Sequence, residues 1–233
     1  MSPDGAAGAV GTSLLLGALG LDQTAAAQVL LSQPLVGGAI LGWAAGDPAA
    51  GLLAGSYFQF LCLTELPVGA SVPPDTTLAG LIGTAVFVSL GQPAGWGDQA
   101  LLGLLTAGFL PLAFVGRALD VRVRRWNRAW GPLAERLVAR GSHRLAQLAA
   151  TGGAALFFLR AALLSLPVLL AVAAWGGAGL AGAAAAAPAF DVLARCVPLA
   201  GLAALVAQRR RRGLAATLAA GGAAGVLIAA AVA

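Results

Sequence analysis

Lysine is absent from this chain of 233 residues, histidine occurs once, cysteine twice, and charged residues of both signs make up only 10%. An ordinary soluble domain carries roughly 25% charged residues, so most of this chain cannot face water. No GxxxxGK[ST] phosphate loop, CxxC or HExxH metal spacing, or Ser/His/Asp frame occurs, which speaks against an ATP-driven pump or a membrane hydrolase of known type. The reading therefore assigns no catalytic residue, metal ligand or cofactor. Cys62 and Cys196 lie in apolar surroundings and read as small hydrophobes. His143, the lone histidine, sits in an Arg-rich segment without a catalytic constellation, so a solvated histidine is preferred over a phosphocarrier. Nothing resembles a nucleic-acid-binding module.

What is present is apolar: 59% of residues are hydrophobic, in long Ala/Leu/Gly runs without strict alternation. A bilayer core about 30 Å thick takes roughly 20 such residues per helix, and lipid leaves backbone polar groups no partner outside a helix or a closed barrel. The expected fold class is all-α: a polytopic helical membrane protein with about six to eight segments entering the bilayer. The opening Met1 to Asp4 carries no positive charge, so Gly5 to Leu21 reads as retained rather than as a cleaved signal.

All fourteen basic residues are arginine, and twelve fall in Arg117 to Arg144 or Arg209 to Arg212. Positive charge is retained in cytoplasmic loops, which places both segments in the cytoplasm and attracts anionic lipid. Between them, Ala149 to Ala174 and Phe190 to Ala207 are each long enough to cross, and Gly213 to Ala233 crosses once more. Upstream, Leu101 to Gly116 and Thr77 to Leu90 read as short spans around the polar turn Gly91 to Gln99. Gln28 to Ala45 and Ala50 to Leu66 flank a Gly-Asp-Pro break. Short apolar segments interrupted by Gly and Pro point to discontinuous helices around a transporter's substrate site. Three regions result: a membrane core at 1–116, an Arg-rich segment at 117–148 and C-terminal membrane helices at 149–233. In the middle region Leu119, Val123, Trp126, Trp130, Leu133 and Leu137 form one apolar stripe. It predicts a cytoplasmic amphipathic helix at the membrane interface or a docking surface, broken or kinked at Gly131 and Pro132.

Four motifs occur in order between Leu30 and Val86: PLVGG at Pro34 to Gly38, the pair Gly46 and Asp47, AGLLAG at Ala50 to Gly55, and VGASVPPDTTLA at Val68 to Ala79. Together they resemble the signature of the C subunits of the mannose/fructose/sorbose family of bacterial phosphotransferase systems. The resemblance implies a sugar-translocating subunit in the bacterial plasma (inner) membrane, working by alternating access and itself transferring no phosphoryl group. It also implies a hetro-oligomer with a homologous D subunit, and soluble A and B phosphocarrier subunits that phosphorylate the sugar as it enters. The same resemblance expects a glutamate where Gln59 stands and a basic residue where Gln33 stands. The alternative is a degenerate paralogue that acts as a membrane scaffold or regulator without transport.

The substrate-binding expectations are Gln59, Asp75 and Glu65. Glu65 and Asp75 flank a Pro/Gly turn and form either a carboxylate pair for sugar hydroxyls or two solvated loop carboxylates. Gln59 lies among Tyr57, Phe58 and Phe60, where an amide serves hydroxyls and aromatics cover a sugar's apolar face, or where another helix satisfies the amide. Arg160, in a long apolar run, is expected to snorkel to an interface. Asp191 and Arg195, four apart, are expected to pair on one helix face.

Overall fold

The computed structural model describes residues 5–63 and 72–208. Glu65, the arginine run 209–212 and the expected last crossing at 213–233 lie outside the described residues. Within them the chain forms eight α-helices and no strand: α1 (Gly5–Asp22), α2 (Pro34–Ala45), α3 (Pro48–Cys62), α4 (Thr76–Leu90), α5 (Asp98–Asn127), α6 (Trp130–Ala139), α7 (His143–Gly182) and α8 (Ala187–Gln208).

Three of these helices are long and apolar enough to cross a membrane, namely α1, α7 and the stretch Ala184–Ala203. A fourth span results if Asp98–Gly108 and Pro111–Ala139, which meet at 43°, count as one. The six to eight segments expected to enter the bilayer include short ones and one at 213–233, outside the described residues; among the described residues the short ones differ from full spans in length. With 12 residues in α2 and 15 each in α3 and α4, a rise of 1.5 Å per residue gives only about 18 to 23 Å, short of the hydrocarbon thickness. The membrane core is thus built partly from short helices, of which α4 is enclosed while α2 and α3 keep apolar side chains such as Trp43 and Leu52 facing outward. The bend in α5 lies at Pro111, which cannot donate to the helix ladder.

The Gly-Asp-Pro break folds α2 back on α3. Gly46 ends α2 in the left-handed region at φ 86°, Asp47 accepts a hydrogen bond from Ala50 N at 2.9 Å, and Pro48 opens α3. These are the residue types that favour a helix end, a cap and a first turn. Gly38 and Gly42 on α2 face Gly51 and Gly55 on α3. A Cβ on Gly38 would stand 2.7 Å from the Gly51 carbonyl oxygen, and one on Gly42 2.7 Å from the Gly51 Cα. Close backbone approach of this kind supplies the packing that holds membrane helices together.

Helix α4 lies at the centre, with ten consecutive buried residues from Leu78 to Phe87. It is apolar on every side, as a helix surrounded by others must be. Phe58 of α3 packs against Gly80 and Gly83, and Leu16, Leu41, Leu81, Ile82, Val86 and Leu101 complete the core. Outside this, α1 packs on α7 and α8 on α5. The Trp96 indole donates to Leu180 O at 2.8 Å, tying the turn before α5 to the far end of α7.

Two expected boundaries shift. Helix α2 starts at Pro34, not near Gln28, because residues 23–33 form a loop with Ala27, Gln28 and Leu30 at φ 62°, 56° and 71°. The amphipathic segment breaks at 128–129 rather than at Gly131 and Pro132, which places Pro132 in the first turn of α6, where no N–H is required of it. Helix α5 carries the apolar Leu101 to Gly116 and the first arginines without interruption.

Candidate functional site

The C-terminal end of α1, the N-terminal ends of α2 and α4 and the Arg-bearing half of α5 converge around Arg160 of α7. Two prolines precede Asp75 and favour an extended approach, and its carboxylate caps α4 by accepting from Leu78 N at 3.1 Å. The Asp75 N–H donates to Ala113 O of α5 at 2.9 Å. Such closeness needs Gly116, where a Cβ would stand 2.8 Å from the Asp75 Cβ.

Arg160 does not snorkel. It is only 5% exposed, and its Nη1 lies 2.8 Å from Asp75 Oδ2 and 3.0 Å from Asp120 Oδ1. Its Nη2 donates to Gln23 Oε1 at 3.4 Å, and Gln23 Nε2 donates to Asp75 Oδ1 at 3.3 Å. The other oxygen of Asp120 holds Arg124 Nε at 2.6 Å. The guanidinium carbons of Arg124 and Arg160 stand 5.7 Å and 6.0 Å from the centre of the Phe157 ring, within range of a cation–π attraction. Two guanidinium groups thus balance two carboxylates. A charge so deep in an apolar helix bundle persists because partners from α4 and α5 meet it.

These groups line one end of a cavity of about 260 Å³. Gln23, Thr24, Gln33 and Thr77 add neutral hydrogen-bonding groups to its wall. The Thr24 hydroxyl oxygen and Arg160 Nε are buried with no hydrogen-bond partner. Drug-sized ligands occupy pockets of roughly 300–1,000 Å³, so this volume suits a small polar molecule. The 23–33 loop reaches the cavity because Asp22, also buried, accepts from Val29 N at 2.7 Å, Ser32 N at 3.0 Å and Ser32 Oγ at 3.2 Å.

Of the residues expected from sequence, Asp75 lies in the cavity wall, its Oδ1 accepting from Leu78 N and Gln23 Nε2 and its Oδ2 ion-paired with Arg160 but without a hydrogen bond. Gln59 is not in the wall; it donates to Gln33 Oε1 at 2.9 Å, and Gln33 is. Glu65 lies outside the described residues. Asp191 and Arg195 pair at 2.7 Å, as expected, far from this site on α8. Sequence reading did not single out Gln23, Thr24 or Asp120. The spacing of Asp120 and Arg124, four apart, is the one local signal that pointed there.

Comparison with known proteins identifies the fold and the family of the chain. The family described as the PTS system sorbose-specific IIC component matches residues 8–230. The mannose-specific EIIC component of the PTS system in Escherichia coli (strain K12) is 28% identical over 110 residues, which is 47% of this chain and 38% of that relative. The matched stretch thus spans well under half of the relative's length. Among solved structures, a membrane protein superimposes with a TM-score of 0.72 at 18% identity, over 97% of this chain and 91% of the other. The mannose transporter ManYZ, in its cryo-EM complex with microcin E492 (MceA), superimposes with a TM-score of 0.61 at 20% identity, over 94% and 86%. At these identities the two structures speak for the fold, and the family match covers nearly the whole length: the chain belongs to the sorbose-specific IIC components of the PTS, a family of membrane transport subunits.

Proposed function

We propose that this subunit binds a hexose-type sugar and carries it inward across the bacterial inner membrane, together with a homologous D subunit, for phosphorylation by soluble A and B subunits. The observation that carries the reading is the cavity between Asp75, Gln23, Thr24 and Gln33, which offers hydrogen-bond donors and acceptors to a small polyhydroxylated ligand. Its internally paired charges leave little net attraction for an ion. The cavity lies at the end of the bundle that carries the arginines of α5 and α6, the end that the positive-inside rule puts in the cytoplasm. A ligand bound there is within reach of soluble phosphocarriers.

The test is uptake of labelled mannose, fructose, glucose and N-acetylglucosamine by cells expressing this chain with its D, A and B partners, scored as intracellular sugar phosphate. Product that depends on this chain is the expected result. An assembled complex that accumulates none of the four would move the assignment to a scaffold or regulatory role, the reading for which the neutral Gln33 and Gln59 speak.

A further inference from the structure

Gln59 is held by a donor whose direction admits no ambiguity. The first turn of a helix leaves backbone N–H groups without intrahelical partners, and the capping residue of α2, Gln33, supplies no side-chain hydrogen bond to them. Instead Leu35 N donates to Gln59 Oε1, across from α3, at 3.3 Å. A backbone N–H only donates, so the oxygen of the Gln59 amide must face it and the nitrogen must face the other way. That nitrogen meets Gln33 Oε1 at 2.9 Å. The Gln33 oxygen is therefore occupied, and the group Gln33 has left for the cavity it lines is its NH₂. The backbone of Gln33 is itself secured, with its N–H donating to Leu30 O at 3.1 Å and its carbonyl accepting from Gly37 N at 2.8 Å.

We propose that Gln33 is a specificity-determining hydrogen-bond donor of the cavity and that Gln59 is the positioning residue that sets its polarity. The inference rests on the transport reading above in taking the ligand to be a sugar. A ligand must then place an acceptor, a hydroxyl or ring oxygen, against the Gln33 NH₂. That fixed donor orients a sugar within the cavity. Changing Gln59 to glutamate reverses the polarity at Gln33. A carboxylate accepts from both Leu35 N–H and the Gln33 NH₂, so the Gln33 amide turns over and shows its oxygen to the cavity.

The test combines uptake kinetics with thiol labelling. Gln59→Glu should raise the KM for sugar roughly tenfold, the scale of one net hydrogen bond, with the maximal rate little changed. In a Gln33→Ala background the same substitution should have no further effect. Gln33→Lys combined with Gln59→Glu should bring KM back towards the starting value, because an ammonium group can only donate. An equal rise in KM with and without the Gln33 side chain would overturn the relay. Independently of any sugar, in a Cys62→Ala/Cys196→Ala background, Gln33→Cys should react with a small water-soluble thiol reagent faster than Gln59→Cys. The opposite order would overturn the placement of Gln33 in front of Gln59. If the unmodified chain takes up no sugar, the transport reading fails and the labelling order alone decides whether Gln33 stands in front.

Discussion

Removing the guanidinium of Arg160 would leave the buried carboxylates of Asp75 and Asp120 without the charge that holds them together. Breaking a buried charge pair on one side costs about 3–5 kcal/mol. Arg160→Leu is therefore expected to lower the thermal stability of the detergent-solubilised protein by that order. Asp75→Asn with Asp120→Asn in the Arg160→Leu background should recover much of the loss, since the buried charges are then gone and the remaining Arg124 is half-exposed to solvent; thermal unfolding of the series measures both effects. The sequence made Arg160 visible as an anomaly in an apolar run but could not supply its partners, which lie 85 and 40 positions away. Gln33 and Gln59 are a different case. Each departs from the charge that the family resemblance expects, and the two residues touch. The charges that the resemblance expects would make an ion pair at this contact; the amide pair that stands here avoids the cost of burying opposite charges.

Among the elements, the α2–α3 hairpin was the most legible. Glycines four apart on each side, at 38 and 42 and at 51 and 55, with Gly-Asp-Pro between the two pairs, fit two helices in close contact and the turn that joins them. Because the atoms facing these glycines are backbone, a side chain cannot be accommodated by rotation. Gly51→Val is expected to abolish a monodisperse peak in detergent size-exclusion chromatography, whereas Gly108→Ala, with nothing within 4 Å of its Cβ, should leave it intact. Asp47→Ala removes only a cap and should cost about 1 kcal/mol, read as a small drop in melting temperature. The 23–33 loop was not legible. Val29, Leu30 and Leu31 look like the start of a span, yet three non-glycine residues there take left-handed backbone, a conformation that Asp22 secures through bonds to residues 29 and 32. Nothing in the local pattern announces a carboxylate acting seven to ten positions ahead.

For the molecule as a whole, two levels of tryptophan along α7 are spaced like the two edges of a membrane. Trp130 packs against Gly152 near the start of α7, its ring 3.2 Å from a Cβ built there. Trp175 lies 23 residues further along α7 and is 73% exposed. At 1.5 Å per residue the two levels are about 35 Å apart, close to a hydrocarbon core flanked by aromatic belts. Single-tryptophan variants retaining Trp130 or Trp175 should be quenched more strongly by lipids brominated near the headgroup than by lipids brominated at the chain end; the reverse would displace the belts. On the same scale Arg160 lies about 12 Å inside the Trp130 level, so the charge network is within the membrane's electric field. There its two guanidinium groups and two carboxylates have consequences beyond folding. Moving one elementary charge through 100 mV involves about 2.3 kcal/mol, but four groups whose charges sum to zero feel no net force from the field. On the transport reading, displacement of this network should accordingly add no voltage dependence to sugar entry, and any difference in rate between energised cells and vesicles whose voltage has been collapsed with an ionophore should vanish on removal of the buried carboxylate of Asp22, which lies outside the network.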